Sequence, residues 1–208
     1  KPNTIIYNSS SSEFFKNYNN KLIKNKKFKI IIIEGNIQRE NLTLNILKCL
    51  NKIACNNLLL IDSIQIYGNS SNVKNYMSWS KKIEFKGTVQ RKNIYKIYKQ
   101  NNCIFFLLDF YSNCSNSLIE SITSRVPTLY FDSGSANELA KNCGYKINFN
   151  DLDYINERNF LDYKIIHGLK YIMRNYTKLQ ANCYFRSKHF KSEYMSKKYL
   201  NFISLKDH

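Results

Sequence analysis

The sequence predicts a doubly wound α/β domain built on a mainly parallel sheet. Three observations predict it. Short, apolar, β-prone runs alternate with amphipathic helical runs from residue 28 to residue 149. Two of the strand candidates, FKIIII at 28–33 and CIFFLLDF at 103–110, are almost unbroken apolar runs, the pattern of buried parallel strands. The turns at 35–39, 87–90, 112–117 and 133–135 each follow a strand and open a helix. In such folds these turns share the carboxyl edge of the sheet, so all four are expected to converge on one cleft.

Residues 4–7 (TIIY) form a short apolar run, and Asn8 with four serines carries the chain to Glu13-Phe14-Phe15 as a turn-rich linker. The strand at 28–33 closes on Glu34-Gly35-Asn36, where a Gly permits close backbone approach to a ligand. Leu42, Ile46, Leu47, Leu50 and Ile53 give the next helix its apolar stripe. Residues 58–61 and 64–67 read as strands ending at Gly68-Asn69. Residues 69–81 read as a polar loop with a short helix carrying Trp79, the only tryptophan. An alternating strand at 82–86 leads into Gly87-Thr88-Val89, and Ile94, Ile97 and Tyr98 form the core face of the helix that follows.

After the apolar run at 103–110, residues 111–116 form a polar turn. Leu118, Ile119, Ile122 and Val126 then recur at helical spacing until Pro127 stops the helix. Residues 128–131 are the next strand, and Asp132-Ser133-Gly134 the next turn. Ser117 with Glu120, and Ser135 with Glu138, both spell the S-x-x-E capping box. A helix start fixed in this way aims free N–H groups at what lies above it and suits an anion such as a diphosphate. Residues 145–149 form a last strand, 150–159 a loop, and Leu161, Ile165, Ile166, Leu169, Ile172 and Met173 a helix. Residues 179–202 read as one long helical segment. Its Tyr184, Phe185, Phe190, Tyr194, Tyr199 and Phe202 are expected to form a core-facing aromatic stripe.

Composition narrows the function classes. A hydrophobic fraction of 43% in 208 residues supports a sizeable core and excludes a disordered chain. The formal charge of +17 permits nucleic acid, an anionic membrane face or a phosphorylated ligand as partner. Its cations are spread along a chain rich in Lys, Asn, Ile and Tyr, which favours compositional bias over a dedicated polyanion site. Six cysteines without a C-x-x-C pair, and three scattered histidines, indicate no metal site and a reduced, cytoplasmic setting. No stretch is apolar for the roughly 18 residues needed to cross a bilayer.

The stretch 114–147, CSNSLIESITSRVPTLYFDSGSANELAKNCGYKI, resembles the signature of the nucleotide-sugar-binding, C-terminal domain of retaining GT-B glycosyltransferases of family 4. Cys114, Asn116, Ser117, Glu120, Pro127, Ser133, Gly134, Glu138 and Leu139 carry the match in order. The Thr4–Asn8 run followed by Phe14 resembles the family's crossing between its two domains, and the segment around Phe85-Lys86-Gly87-Thr88-Val89 resembles the one that lines its nucleobase pocket. The resemblance implies a Rossmann-like fold, with residues 1–20 as interdomain linker and first strand. Residues 21–208 would be the donor domain, closed by helices at 175–208, with an acceptor domain lying outside this sequence.

The family's basic residues for the donor diphosphate are replaced here by Asn36 and Asn41, with Arg39 the nearest cation. Its first acidic residue is replaced by Ser112, and the Gly before Pro127 by Arg125-Val126. Helix ends often need positive φ at such a position, so either a strained Arg125 or an altered turn is expected there. The donor-binding residues the resemblance implies are Gly35, Asn36, Arg39, Thr88, Val89, Ser112, Asn116, Ser117, Leu118 and Glu120. Amides at 116–118 would meet phosphate or sugar, Glu120 the ribose hydroxyls, and Val89 the base.

The implied activity is transfer of a sugar from a UDP- or GDP-linked donor to a glycan or lipid-linked acceptor, with no metal or other cofactor. No catalytic residue is assigned, and the chain alone is not expected to turn over. An anionic membrane surface at the inner face of a membrane is a further expected partner. Two alternatives stay open: a degenerate donor domain acting as a binding or structural module, and a basic nucleic-acid or anionic-surface binder, the less favoured of the two.

Overall fold

A computed structural model describes residues 8–16, 27–37, 41–108, 114–148 and 158–204. The expected strand at 4–7, Arg39, Ser112, residue 109 and nearly all of the loop at 150–159 lie outside the described residues.

In chain order the elements are α1 (Ser12–Phe15), β1 (Phe28–Asn36), α2 (Asn41–Cys55), β2 (Ile61–Asn69), α3 (Ser71–Lys74), β3 (Ile83–Gly87), α4 (Arg91–Tyr98), β4 (Cys103–Phe106), α5 (Asn116–Thr123), β5 (Thr128–Asp132), α6 (Ala136–Ala140) and β6 (Gly144–Asn148). Then come α7 (Arg158–Arg174), α8 (Tyr176–Ser187), a 3-10 turn (Lys188–Phe190) and α9 (Ser192–Ser204). The six strands form one sheet in the order β3-β2-β1-β4-β5-β6, every pairing parallel. The expected Rossmann-like, doubly wound architecture is therefore present, and the strand order reverses between β1 and β4.

The unbroken apolar runs are explained by burial on both faces. Along β1, Ile30 and Ile32 join the core beneath α2, α7 and α8, while Ile31 joins the core on the opposite face with residues of α4, α5 and α6. Ile104 and Phe106 of β4 likewise face one core, with Cys103 and Phe105 facing the other. Alternation in a two-sided sheet thus distributes one apolar run between two cores rather than between core and water. Tyr176 links a helix to the sheet through its hydroxyl, which accepts from the Cys103 N–H and donates to the Cys103 carbonyl, both at 2.9 Å.

Several expectations are corrected. The strand candidates at 58–61 and 64–67 give a single strand starting at Ile61, with Leu60 70% exposed. Trp79 lies after α3, held by its ring N–H donating to the Lys74 carbonyl at 2.8 Å. The segment 179–202 is broken by the 3-10 turn at Lys188–Phe190 into two helices. Its aromatic stripe does not face the core: Phe190 is buried, but Tyr184, Phe185, Tyr194 and Tyr199 are exposed, several under lysine or arginine side chains. Aromatic residues spaced by three and four look alike to a periodicity argument whichever way the helix is turned.

Of the two outcomes expected at Arg125, the turn is kept and the residue takes the positive φ, 59°. The N–H of Val126 donates to the Ser121 carbonyl and that of Arg125 to the Ile122 carbonyl, the paired bonds that close a helix on a left-handed residue. Its guanidinium lies 4.5 Å from the Tyr184 ring centre, which compensates part of the cost of a side chain in this conformation.

Candidate functional site

The reversal between β1 and β4 leaves a crevice at the carboxyl edge, and the turns after β1, β3 and β4 wall it. Its volume is about 460 Å3, lined by Ile33, Glu34 and Gly35 from β1, Val89, Arg91 and Ile94 after β3, and Cys114 to Ser117 with Glu120 at the start of α5. A smaller cavity of about 170 Å3 adjoins it, bounded by Ser9–Ser11, Glu13, Phe14, Lys92 and Ile119. Arg91, Asn116 and Glu120 border both and form the partition.

The start of α5 is fixed, though by a different residue from the one expected. Ser115 is the N-cap, and its hydroxyl accepts from the Leu118 N–H at 3.3 Å. Ser117 therefore sits inside the helix and forms no capping box with Glu120. Its own carbonyl accepts from the Tyr98 hydroxyl at 3.0 Å, tying the first turn to α4. Ser135 caps α6 by position but makes no side-chain cap bond. Because Ser115 already holds the Leu118 amide, and Leu118 is wholly buried, that residue faces the core and not a ligand. The first-turn amides of Asn116 and Ser117 remain as donors without intrahelical acceptors.

Glu120 is the group most out of place in its surroundings. It is 8% exposed, and among the described residues nothing donates a hydrogen bond to its carboxylate. Burial pushes its carboxyl up to about 7, with the Arg91 guanidinium pulling the other way. A buried acid without donors is costly, and a ligand that brings hydroxyl donors relieves that cost. On the opposite wall, the Glu34 carboxylate accepts from the Gly35 N–H at 3.1 Å. The space beside the Gly35 Cα is open to 4 Å, so a ligand can approach the backbone closely there.

Of the ten expected residues, the structure brings Gly35, Val89, Asn116, Ser117 and Glu120 to one cleft. Thr88 is exposed and outside the lining, and Leu118 is buried beneath it. Asn36 ends β1, but its side chain, like Arg39 and Ser112, lies outside the described residues. Three of the four expected turns meet; the turn at 133–135 is not part of the lining. Sequence reasoning missed Glu34, Arg91 and Ser115. Arg91 had a signal, since it is the first helical residue after the Gly87-Thr88-Val89 turn. The serines at 9–11 had none, for only the fold carries that segment across α5. Asn8 Nδ2 there donates to Asn116 Oδ1 at 3.1 Å, and the Ser10 hydroxyl pairs with that of Thr123 at 3.2 Å.

By sequence, the chain matches no family model and no curated protein. By structure it is similar to known glycosyltransferases. The pneumococcal O-GlcNAc transferase GtfA, solved in complex with UDP and GlcNAc, aligns with a TM-score of 0.65 at 18% identity over 98% of this chain and 39% of that one. The lipopolysaccharide outer core galactosyltransferase WaaB, in its apo form, gives 0.72 at 12% identity, over 98% of this chain and 56% of WaaB. A glycosyltransferase from Rickettsia africae ESF-5 gives 0.61 at 15% identity, over 86% and 48%. At these identities the likeness is one of fold, and the chain spans about two fifths to just over half of each neighbour. Among the described residues, no helix is long and apolar enough to cross a membrane.

Proposed function

We propose that this chain is the donor-binding part of a retaining GT-B glycosyltransferase of family 4, and that the cleft between β1 and β4 holds a nucleoside-diphosphate sugar. The observation that carries this reading is Glu120, a buried carboxylate lining an open crevice and without a donor among the described residues. Vicinal ribose hydroxyls would donate to it. Val89 and Ile94 would form an apolar wall against the base, and the amides of Asn116 and Ser117 would meet the phosphates. Fold likeness to glycosyltransferases, one of them solved with UDP, supports the choice of ligand class.

Chemistry at such a site depends on stabilising the charge that develops on the departing diphosphate, which fixed backbone dipoles do without reorganising. The sugar would pass to a glycan or lipid-linked acceptor held outside this chain. The test is titration calorimetry with UDP- and GDP-sugars on the chain and on Glu120→Ala. Saturable heat that vanishes in the variant, with its thermal transition retained, is the expected result. Equal binding by the variant would remove Glu120 from the site.

The second reading keeps the fold without the activity. It is favoured by Asn36 and Asn41 at the positions of the family's diphosphate cations, and by the Glu34 carboxylate bonded to the Gly35 amide. Under it, no donor gives saturable heat.

A further inference from the structure

The larger cavity presents two carboxylates, Glu34 and Glu120, and Arg91 is the single cation among its described lining residues. A diphosphate would bring two or more negative charges to that wall. Backbone amides at a helix start offer about half a unit of positive charge against them, too little to offset both acids and the ligand. Near Gly35 the chain carries Asn36 and Asn41, which add no charge, and Arg39, which lies outside the described residues. Among the described residues, the cation at this cleft comes from its other side, after β3.

Resting on the donor-site reading, we propose that Arg91, presented by the turn after β3, holds the diphosphate in place of the family's basic residues, whose positions carry Asn36 and Asn41. The placement is specific. Arg91 opens α4 directly behind Val89 and borders both cavities beside Asn116, whose amide starts α5. A guanidinium offers a planar fork matched to two phosphate oxygens and stays charged throughout the physiological range. Anchored at a helix start and exposed to the crevice, it can take up a ligand without unfolding an element. The site would then grip its anion between α4 and α5, across the reversal in strand order, instead of over β1.

Calorimetry with UDP and uridine, and with GDP and guanosine, separates this inference from the reading beneath it. Wild-type protein is expected to bind one diphosphate about tenfold or more tighter than its nucleoside. Arg91→Gln should collapse that preference to about threefold or less while leaving nucleoside affinity in place. Lys178→Gln, which removes the same charge from the exposed face of α8, should preserve it. A preference that survives in Arg91→Gln, or falls equally in both variants, overturns the role of Arg91 and leaves the donor site standing. Loss of nucleoside binding along with the diphosphate in Arg91→Gln also overturns it. No binding of any nucleotide by the wild type overturns the donor site itself.

Discussion

The Gly35 N–H donates to the carboxylate of its own neighbour, Glu34, across 3.1 Å at the mouth of the cleft. That bond places an acid on a backbone donor that a phosphate would otherwise meet, so the two anions would compete. Replacing Glu34 by Gln keeps a hydrogen-bond acceptor and removes the charge. UDP affinity in Glu34→Gln should rise by about threefold to tenfold at low salt, and the gain should shrink as ionic strength increases. An unchanged affinity, measured at two salt concentrations, would show that Glu34 lies out of range of the ligand.

Burial raises the Glu120 carboxyl from 4.5 to about 7, and this fixes the sign of a pH effect on folding. Below about pH 4.5 the group is protonated in both states and costs nothing. Between 4.5 and 7 the unfolded chain releases its proton while the folded chain retains it, so stability falls as pH rises through that window. At about 1.4 kcal/mol per pH unit the loss reaches about 3 kcal/mol by pH 8. In Glu120→Gln that decline should be absent, making the variant the more stable protein at pH 8. Urea unfolding at pH 5 and pH 8 measures both slopes.

The cap of α5 separates Ser117, which the capping-box pattern favoured, from Ser115, which the structure uses. Ser115→Ala removes the hydroxyl that accepts from the Leu118 amide and should cost about 1 kcal/mol. Ser117→Ala, inside the first turn, should cost less than about 0.5 kcal/mol. Denaturant midpoints of the two variants decide between a helix capped at 115 and one capped at 117.

Gly68 fixes the height of the β1 rim. Its φ is +127°, and a Cβ placed there would lie 1.6 Å from the Glu34 carbonyl oxygen, so β1 and β2 approach too closely for any side chain. Gly68→Ala should destabilise by about 3 kcal/mol or more and shift the Glu34–Gly35 edge of the cleft. A thermal transition within 2 °C of wild type would show that the rim gives way without cost.

What the sequence determined by itself was the set of elements and their class. Apolar runs such as 28–33 and 103–110, too short for a helix and bounded by turn residues, point to buried strands, though the second is a strand only over Cys103–Phe106. The turn residues between them mark where each strand gives way to a helix. These are local properties, fixed by neighbours within a few residues. Glu120 stood out by its place in a motif, but its burial, and its lack of a donor among the described residues, belong to the folded chain. Tertiary structure decided what depends on rotation and long-range assembly. The same spacing of Tyr184, Phe185 and Tyr199 fits a helix turned inward or outward, and packing turned them to solvent. Likewise Ser9, Arg91 and Asn116 are scattered in sequence; parallel strands bring the turns carrying Arg91 and Asn116 to the same edge, and the bonds of Asn8 to Asn116 and Ser10 to Thr123 lay Ser9 beside them. Electrostatic coupling between Arg91 and Glu120 exists on that edge alone, where two turns from opposite sides of the strand reversal meet.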